Sequence, residues 1–371
     1  MDLFAAGSRI QDFAYQRVLK EIFFRMDPED IHDLMTITGR GLEAVWPAKM
    51  LTGSVFRFRD KRLEQNVAGI RFENPVGLAA GFDKDALLTD LIPHVGFGFM
   101  EVGSITGEPC KGNPKPRLWR LKKSRAIVVY YGLKNEGCEI ISKRLRGKRF
   151  EFPVGTSIAK TNSPDTVEVE RGMEDYAKAY SMFTDIGSYS TINTSCPNAC
   201  GGEPFSDPGN LDRLLGRIDG IPSKKPVFLK ISPDLSRSTL DEVMDIAGKH
   251  RVAGFVCTNL TKKRDNPRIL DGDVPALGGI SGKVVEGLSD ESIRQIRKRA
   301  GGRFAIIGCG GVFGAEDAYR KIRAGASLIQ LFTGMIYEGP HLIGKINHGL
   351  VGLLAKDGFS SISEAVGTEK G

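Results

Sequence analysis

From Asn74 onward, apolar, β-rich runs recur at intervals, separated by stretches of helical character. The runs are Pro75–Gly81, Phe99–Thr106, Phe152–Ala159, Tyr189–Cys196, Val227–Ser232, Gly254–Leu260, Phe304–Gly311 and Leu328–Gly334. Near-continuous apolar strands between helices belong to a parallel sheet covered on both faces. Eight such units close most simply into an α/β fold, the (β/α)8 TIM barrel, with an open doubly wound sheet as the competing arrangement. A length of 371 residues suits one barrel with an added segment, and a hydrophobic fraction of 41% excludes global disorder.

The polar residues fall where such a barrel works. Lys84, Ser104, Asn193, Cys196, Lys230, Asn259, Gly310 and Thr333 stand near or just past the C-terminal ends of the runs, and in a barrel these ends converge on one mouth. Gly308-Cys309-Gly310-Gly311 ends a strand before a helix expected to start near Ala315, and Gly278-Gly279-Ile280-Ser281-Gly282 lies one unit earlier. Glycine-rich loops before helices let backbone N–H groups approach an anion, so the pair favours a phosphorylated cofactor, although either loop alone is often only a turn.

Asn193-Thr194-Ser195-Cys196-Pro197-Asn198 is the sharpest motif. Its two amides can donate and accept toward a planar polar ring. Cys196 can accept a proton if it is accessible and its pKa is modestly depressed, for which Lys84 is the candidate cation; the competing reading is a buried structural thiol. Lys230 interrupts the apolar Phe228-Leu229-Lys230-Ile231, and a lysine pointing into a barrel requires an anionic or carbonyl partner. Lys84 has the simpler alternative of a stem that reaches solvent.

Residues 1–55 differ from the rest. Phe13, Val18, Leu19, Ile22 and Phe23 recur at roughly helical spacing. Asp27-Pro28-Glu29-Asp30 then reads as an N-cap, a first-turn proline and first-turn acids. Two amphipathic helices are expected here, either plugging the bottom of the barrel or lying on a membrane surface. The expected division is therefore a helical segment over 1–55 and a barrel over 56–371.

Lys plus Arg number 52 against 45 Asp plus Glu, a net charge of +7. The basic runs around Lys143–Arg149 carry no interleaved aromatics, which argues against nucleic acid. The six cysteines form no CxxC pair or disulfide framework, so a reducing compartment and no metal site are expected. Neither a secretory signal nor a run long enough to span a membrane is evident.

These motifs resemble the dihydroorotate dehydrogenase family, specifically its membrane-associated, quinone-using class, from about Phe13 to Glu369. Asn74–Lys84, Glu101–Thr106, Lys230–Leu235, Thr258-Asn259, Gly278–Gly282, Arg323–Ser327 and Leu331–Thr333 follow in family order. The resemblance implies FMN at the barrel mouth. Ala79, Ala80, Gly81, Lys84, Ser104, Asn193 and Lys230 would line it from the early units. Ser157 would do so where the family carries an Asn, and Thr258, Gly282, Gly310, Gly311, Phe332 and Thr333 from the late ones. It further implies that Lys84, Asn193, Asn198 and Asn259 hold the substrate ring and that Cys196 is the catalytic base. His32 and Arg120 match the quinone-site residues, and the N-terminal helices match the segment that forms the quinone tunnel and touches the membrane as a peripheral anchor.

The chain departs from the pattern at four places. Cys196 stands where the quinone-using class has Ser, Val129 where a substrate-binding Asn is usual, Ser157 where an Asn meets the flavin, and Gly201-Gly202-Glu203 where the lid reads Gly-Leu-Arg. The activity implied is FMN-dependent oxidation of dihydroorotate to orotate, in pyrimidine biosynthesis, with a quinone as acceptor. The alternatives are a paralogous FMN oxidoreductase acting on another small cyclic or unsaturated substrate and a flavin-binding protein without turnover. A transfer-RNA dihydrouridine synthase is disfavoured because no helical RNA-binding domain follows the barrel.

Overall fold

The computed structural model describes residues 3–369. Eight parallel strands close into a barrel: β1 Val76–Leu78, β2 Phe99–Ile105, β3 Val154–Ile158, β4 Tyr189–Asn193, β5 Val227–Ile231, β6 Val252–Cys257, β7 Ala305–Cys309 and β8 Leu328–Leu331. Each pairs with its neighbour in sequence, and β8 closes on β1 through Leu331 opposite Leu78. Each expected run contains or overlaps one of these strands, because strands buried on both faces show as unbroken apolar stretches. The expected (β/α)8 barrel is therefore the observed fold.

A short antiparallel hairpin, Gln65–Val67 with Ile70–Phe72, closes the bottom. Its Phe72 packs edge-on against Phe99 at 5.2 Å and joins Tyr189, Phe228, Val256, Ile307 and Leu328 in an aromatic and aliphatic plug. Gly77 and Gly155 leave room for it: a Cβ on either would lie 2.3 Å from the ring of Phe99 or Tyr189, respectively. The helices pack outside, with residues such as Leu214, Leu240, Ile293 and Ile322 turned onto the strands.

The N-terminal segment lies at the opposite end, so it does not plug the bottom. Leu3–Ala14 continues through a π-helical turn, Tyr15–Leu19, into Lys20–Phe23. Helix Pro28–Ala44 follows, with the Asp27 carboxylate accepting from the N–H groups of Glu29 and Asp30. A further helix, Trp46–Phe56, was not expected from the sequence because its weak amphipathic pattern sets no boundary. Glu29 is buried and accepts from both Nε and Nη2 of Arg117, at 3.1 Å and 2.6 Å, which fixes Pro28–Ala44 to the barrel. Tyr15 donates to the Ile336 carbonyl at 2.6 Å, and Asp12 meets His341 at 3.1 Å.

A three-stranded antiparallel sheet (118–121, 126–129 and 279–280) also escaped the sequence reading, since its strands have at most four residues. It forms one wall of the mouth. No helix among the described residues is long and apolar enough to cross a membrane.

Candidate active site

One cavity of about 530 Å³ runs from the C-terminal ends of the strands up between the N-terminal helices. On its wall at the barrel end stand Ala79, Ala80, Gly81, Lys84, Ser104, Asn193, Cys196, Asn198, Lys230, Thr258 and Asn259. Gly282, Gly310, Gly311, Phe332 and Thr333 complete that end, and Val129 faces it from the three-stranded sheet. His32, Arg120, Tyr15, Phe24 and Ile31 line the other end. Residues scattered over three hundred positions thus share one space, because every strand delivers its C-terminal end to the same mouth.

Hydrogen bonds hold the polar wall in a fixed order. Asn193, on β4, donates from Nδ2 to Ser104 Oγ at 2.9 Å, and Ser104 shares a 2.8 Å hydrogen bond with Ser157. Asn259 Nδ2 donates to the Ser195 carbonyl at 2.7 Å and to Asn193 Oδ1 at 3.2 Å. Asn198 Nδ2 donates to the Val129 carbonyl at 2.8 Å, which leaves its Oδ1 as an acceptor with no hydrogen-bond partner among the described residues. Ser157 is the exception among the expected wall residues. It is fully buried behind Ser104 and off the cavity surface, because a serine on that strand is too short to pass its neighbour.

The glycine-rich rim is built for close approach. Gly282, Gly310 and Gly311 have φ of +75°, +121° and +75°. A Cβ on Gly282 would strike the Arg125 carbonyl at 2.4 Å, and one on Gly311 the Glu286 side chain at 2.4 Å. The expected helix is Ala315–Ala324, and its Asp317 accepts from the Phe313 N–H at 2.8 Å, just ahead of the first turn. The glycine rim thus supplies anion-receptive backbone beside the start of this helix. On the same wall, Lys230 is 5% exposed, and among the described residues no carboxylate pairs with it. An unmatched buried cation sharing a cavity wall with a glycine cradle fits a phosphorylated, electron-rich planar cofactor such as FMN.

Lys84 and His32 stand where the two ends of the cavity meet. Lys84 Nζ is 4.1 Å from the Tyr131 ring centroid and 3.5 Å from His32 Nε2. Burial pulls its pKa down to about 8. Burial, with Lys84 and Lys134 nearby, lowers that of His32 to about 3, so this imidazole is neutral at physiological pH. His32 also meets the Phe82 ring edge-on at 5.1 Å. Arg120 donates to the Met26 carbonyl at 2.8 Å and covers the Phe24 ring.

Cys196 departs from expectation in its electrostatics. Burial pushes its thiol up to about 11, opposed by the Asn198 N–H and the cations Lys230 and Lys160 and reinforced by Glu203. The expected depression by Lys84 is absent, because Lys84 is turned toward Tyr131 and His32. Tyr131, Lys160 and the Glu29–Arg117 pair were missed in the sequence. Only Tyr131 gave a signal there, lying two residues after Val129 on the same wall.

The profile of the Dihydroorotate dehydrogenase family matches residues 62–354. The chain belongs to the dihydroorotate dehydrogenase family. It is 38% identical over 357 residues to "Dihydroorotate dehydrogenase (quinone)" of Gloeobacter violaceus, covering 95% of this chain and 98% of that one. It is 40% identical over 310 residues to the protein of the same name from Haloarcula marismortui, covering 84% and 87%. Among solved structures, the ligand-free dihydroorotate dehydrogenase of Eimeria tenella superimposes with a TM-score of 0.79 at 28% identity, covering 92% of this chain and 99% of that one. The complex of the Eimeria tenella enzyme with ferulenol gives 0.80 at 29%, covering 92% and 95%.

Proposed function

We propose that this chain oxidises dihydroorotate to orotate with FMN at the barrel mouth and delivers the electrons to a quinone entering between the N-terminal helices. The observation that carries the reading is the continuity of the cavity. Its polar end holds Lys84, Asn193, Cys196, Asn198 and Asn259, and its apolar end is walled by the N-terminal helices with His32 and Arg120.

FMN, when bound, accepts hydride from the substrate and passes electrons on. Ala79, Ala80, Gly81, Gly282, Gly310, Gly311, Phe332 and Thr333 would surround it, with Ser104, Thr258 and Lys230 on its polar edge. Lys84 supplies the cation for the substrate carboxylate. Asn193, Asn198 and Asn259 face the ring's N–H and C=O groups, and the Oδ1 of Asn198 suits a ring N–H. Cys196 takes the proton from the carbon next to the one that loses hydride. The apolar side chains exposed on the N-terminal helices, including Ile10, Phe13, Ile37, Trp46 and Leu51, suit a peripheral seat on a membrane surface, where a quinone is dissolved. The reading divides the chain into a quinone- and membrane-facing segment over 1–55 and an FMN barrel over 56–371.

The test is anaerobic mixing of the purified, flavin-loaded protein with dihydroorotate, followed by a short-chain quinone. Dihydroorotate is expected to bleach the flavin and quinone to restore its colour. A flavin that stays oxidised with dihydroorotate while another cyclic substrate reduces it would transfer the reading to a paralogous oxidoreductase.

A further inference from the structure

Lys160 lies just beyond β3, and the activity described so far does not use it. It is 3% exposed, and its Nζ donates to the Cys200 carbonyl at 2.7 Å. Among the described residues no carboxylate pairs with it. A buried ammonium without an anion is costly, so its retention calls for one. Asp175, the nearby acid, is already engaged. It accepts from the N–H groups of Gly107 and Thr161, at 3.1 Å and 2.8 Å, and from the Thr161 hydroxyl at 2.6 Å.

Behind Cys196 lies a second, small cavity of about 10 Å³, room for one water. Lys160 and Cys196 both line it, together with Tyr176, Gly202 and Phe205. Cys196, with Leu133 and Asn193, also lines the large cavity, so it borders both the substrate space and the Lys160 side. We propose that Lys160 is a positioning residue for the base: across the water-sized cavity, its ammonium is the counter-ion of the Cys196 thiolate. This inference rests on the reading of Cys196 as the base.

The charged groups facing the thiol can be named. Lys160 and Lys230 favour the thiolate and Glu203 opposes it. The Tyr176 phenol stays neutral, since full burial raises its pKa far above the physiological range. Lys160 itself is lowered by burial and held up by Cys200, Cys196 and Asp175. The thiolate takes one proton from the substrate carbon and, as a thiol, releases it to water. Lys160 favours the thiolate before and after, so it acts on both halves of that exchange.

The experiment uses the flavin-loaded full chain with Lys160→Gln, Lys160→Met and Lys160→Arg. Lys160→Gln keeps a donor for the Cys200 carbonyl and so guards against misfolding of the Met variant. Two pH profiles are read: iodoacetamide alkylation of Cys196, followed by tandem mass spectrometry, and anaerobic flavin reduction by dihydroorotate. Removing the charge should move both midpoints up by about one pH unit, so that reduction near pH 7 slows about tenfold and recovers at high pH. Lys160→Arg should stay near the wild-type profile. An equal loss at every pH with an unmoved alkylation profile would make Lys160 merely structural and overturn the proposal, as would unchanged profiles. Cys196→Ala separates the two ideas. Wild-type reduction in that variant defeats the base assignment itself, whereas its loss alongside unmoved Lys160→Gln profiles defeats only the role of Lys160.

Discussion

At the scale of single residues, the proposed base and its surroundings set the expected pH behaviour. A thiol raised to about 11 by burial is mostly protonated at neutral pH, and the thiolate fraction grows about tenfold per pH unit below that value. Flavin reduction by dihydroorotate should therefore keep rising through pH 7–10 instead of levelling near neutrality, which stopped-flow traces across that range will check. Cys196→Ala should slow the same step by about 10²–10⁴-fold with FMN retained, the usual range for a lost general base, and Cys196→Ser should shift the profile upward. Val129 makes a second prediction. It lines the cavity with an apolar side chain where the resemblance leads one to expect an amide. Val129→Asn should tighten orotate by about 0.5–1.5 kcal/mol, the net value of one hydrogen bond, measurable by flavin absorbance titration. The candidate residues were legible in the sequence. The direction of the Cys196 shift was not, because the burial that raises the pKa is contributed by chain far from position 196.

At the scale of elements, helix Pro28–Ala44 links the two ends of the cavity. Its Asp27 cap and first-turn proline were readable because capping is a local matter of a few residues. Its seat on the barrel was not readable, since the Glu29–Arg117 pair joins positions 88 residues apart. His32 rides on this helix and reaches Lys84 at 3.5 Å, while Arg120 is held on the short sheet beside Met26. Substituting His32 or Arg120 by alanine should slow reoxidation by quinone about tenfold or more, an effect of at least 1.4 kcal/mol on the barrier. Anaerobic reduction by dihydroorotate should change much less. Double-mixing stopped-flow resolves the two half-reactions, and slowed reduction with normal reoxidation would assign these side chains to the substrate instead.

At the scale of the whole molecule, FMN at the proposed site would couple early and late barrel units to one another. The wall that would surround FMN draws on both early and late strands, from Gly81 to Thr333. A ligand bound only to the closed barrel stabilises it by mass action. FMN at about 100 times its dissociation constant contributes about 2.7 kcal/mol. The holoprotein should thus be yellow with one FMN per chain. Stripping the flavin should lower the thermal midpoint by several degrees and adding it back should restore it, as differential scanning fluorimetry would register. A colourless protein whose melting is indifferent to FMN would contradict the assignment.

What the sequence determined by itself was periodic or contiguous. Eight unbroken apolar runs specify eight doubly covered strands, and polar residues such as Asn193 and Lys230 at their C-terminal ends specify a mouth, because strand direction alone orders the ends. The Asn193–Asn198 motif and the glycine loops were likewise legible as short local patterns. Tertiary structure alone decided which wall each group faces and what surrounds it. It put Ser157 behind Ser104, turned Lys84 toward Tyr131 and His32, tied Asp317 back to the Phe313 N–H, and closed the barrel bottom with Phe72 while the N-terminal helices went to the mouth. It also brought Lys160 and Cys196, 36 positions apart, onto one cavity. Burial and charge proximity are sums over neighbours contributed by many strands, and a linear sequence carries each neighbour without carrying its distance.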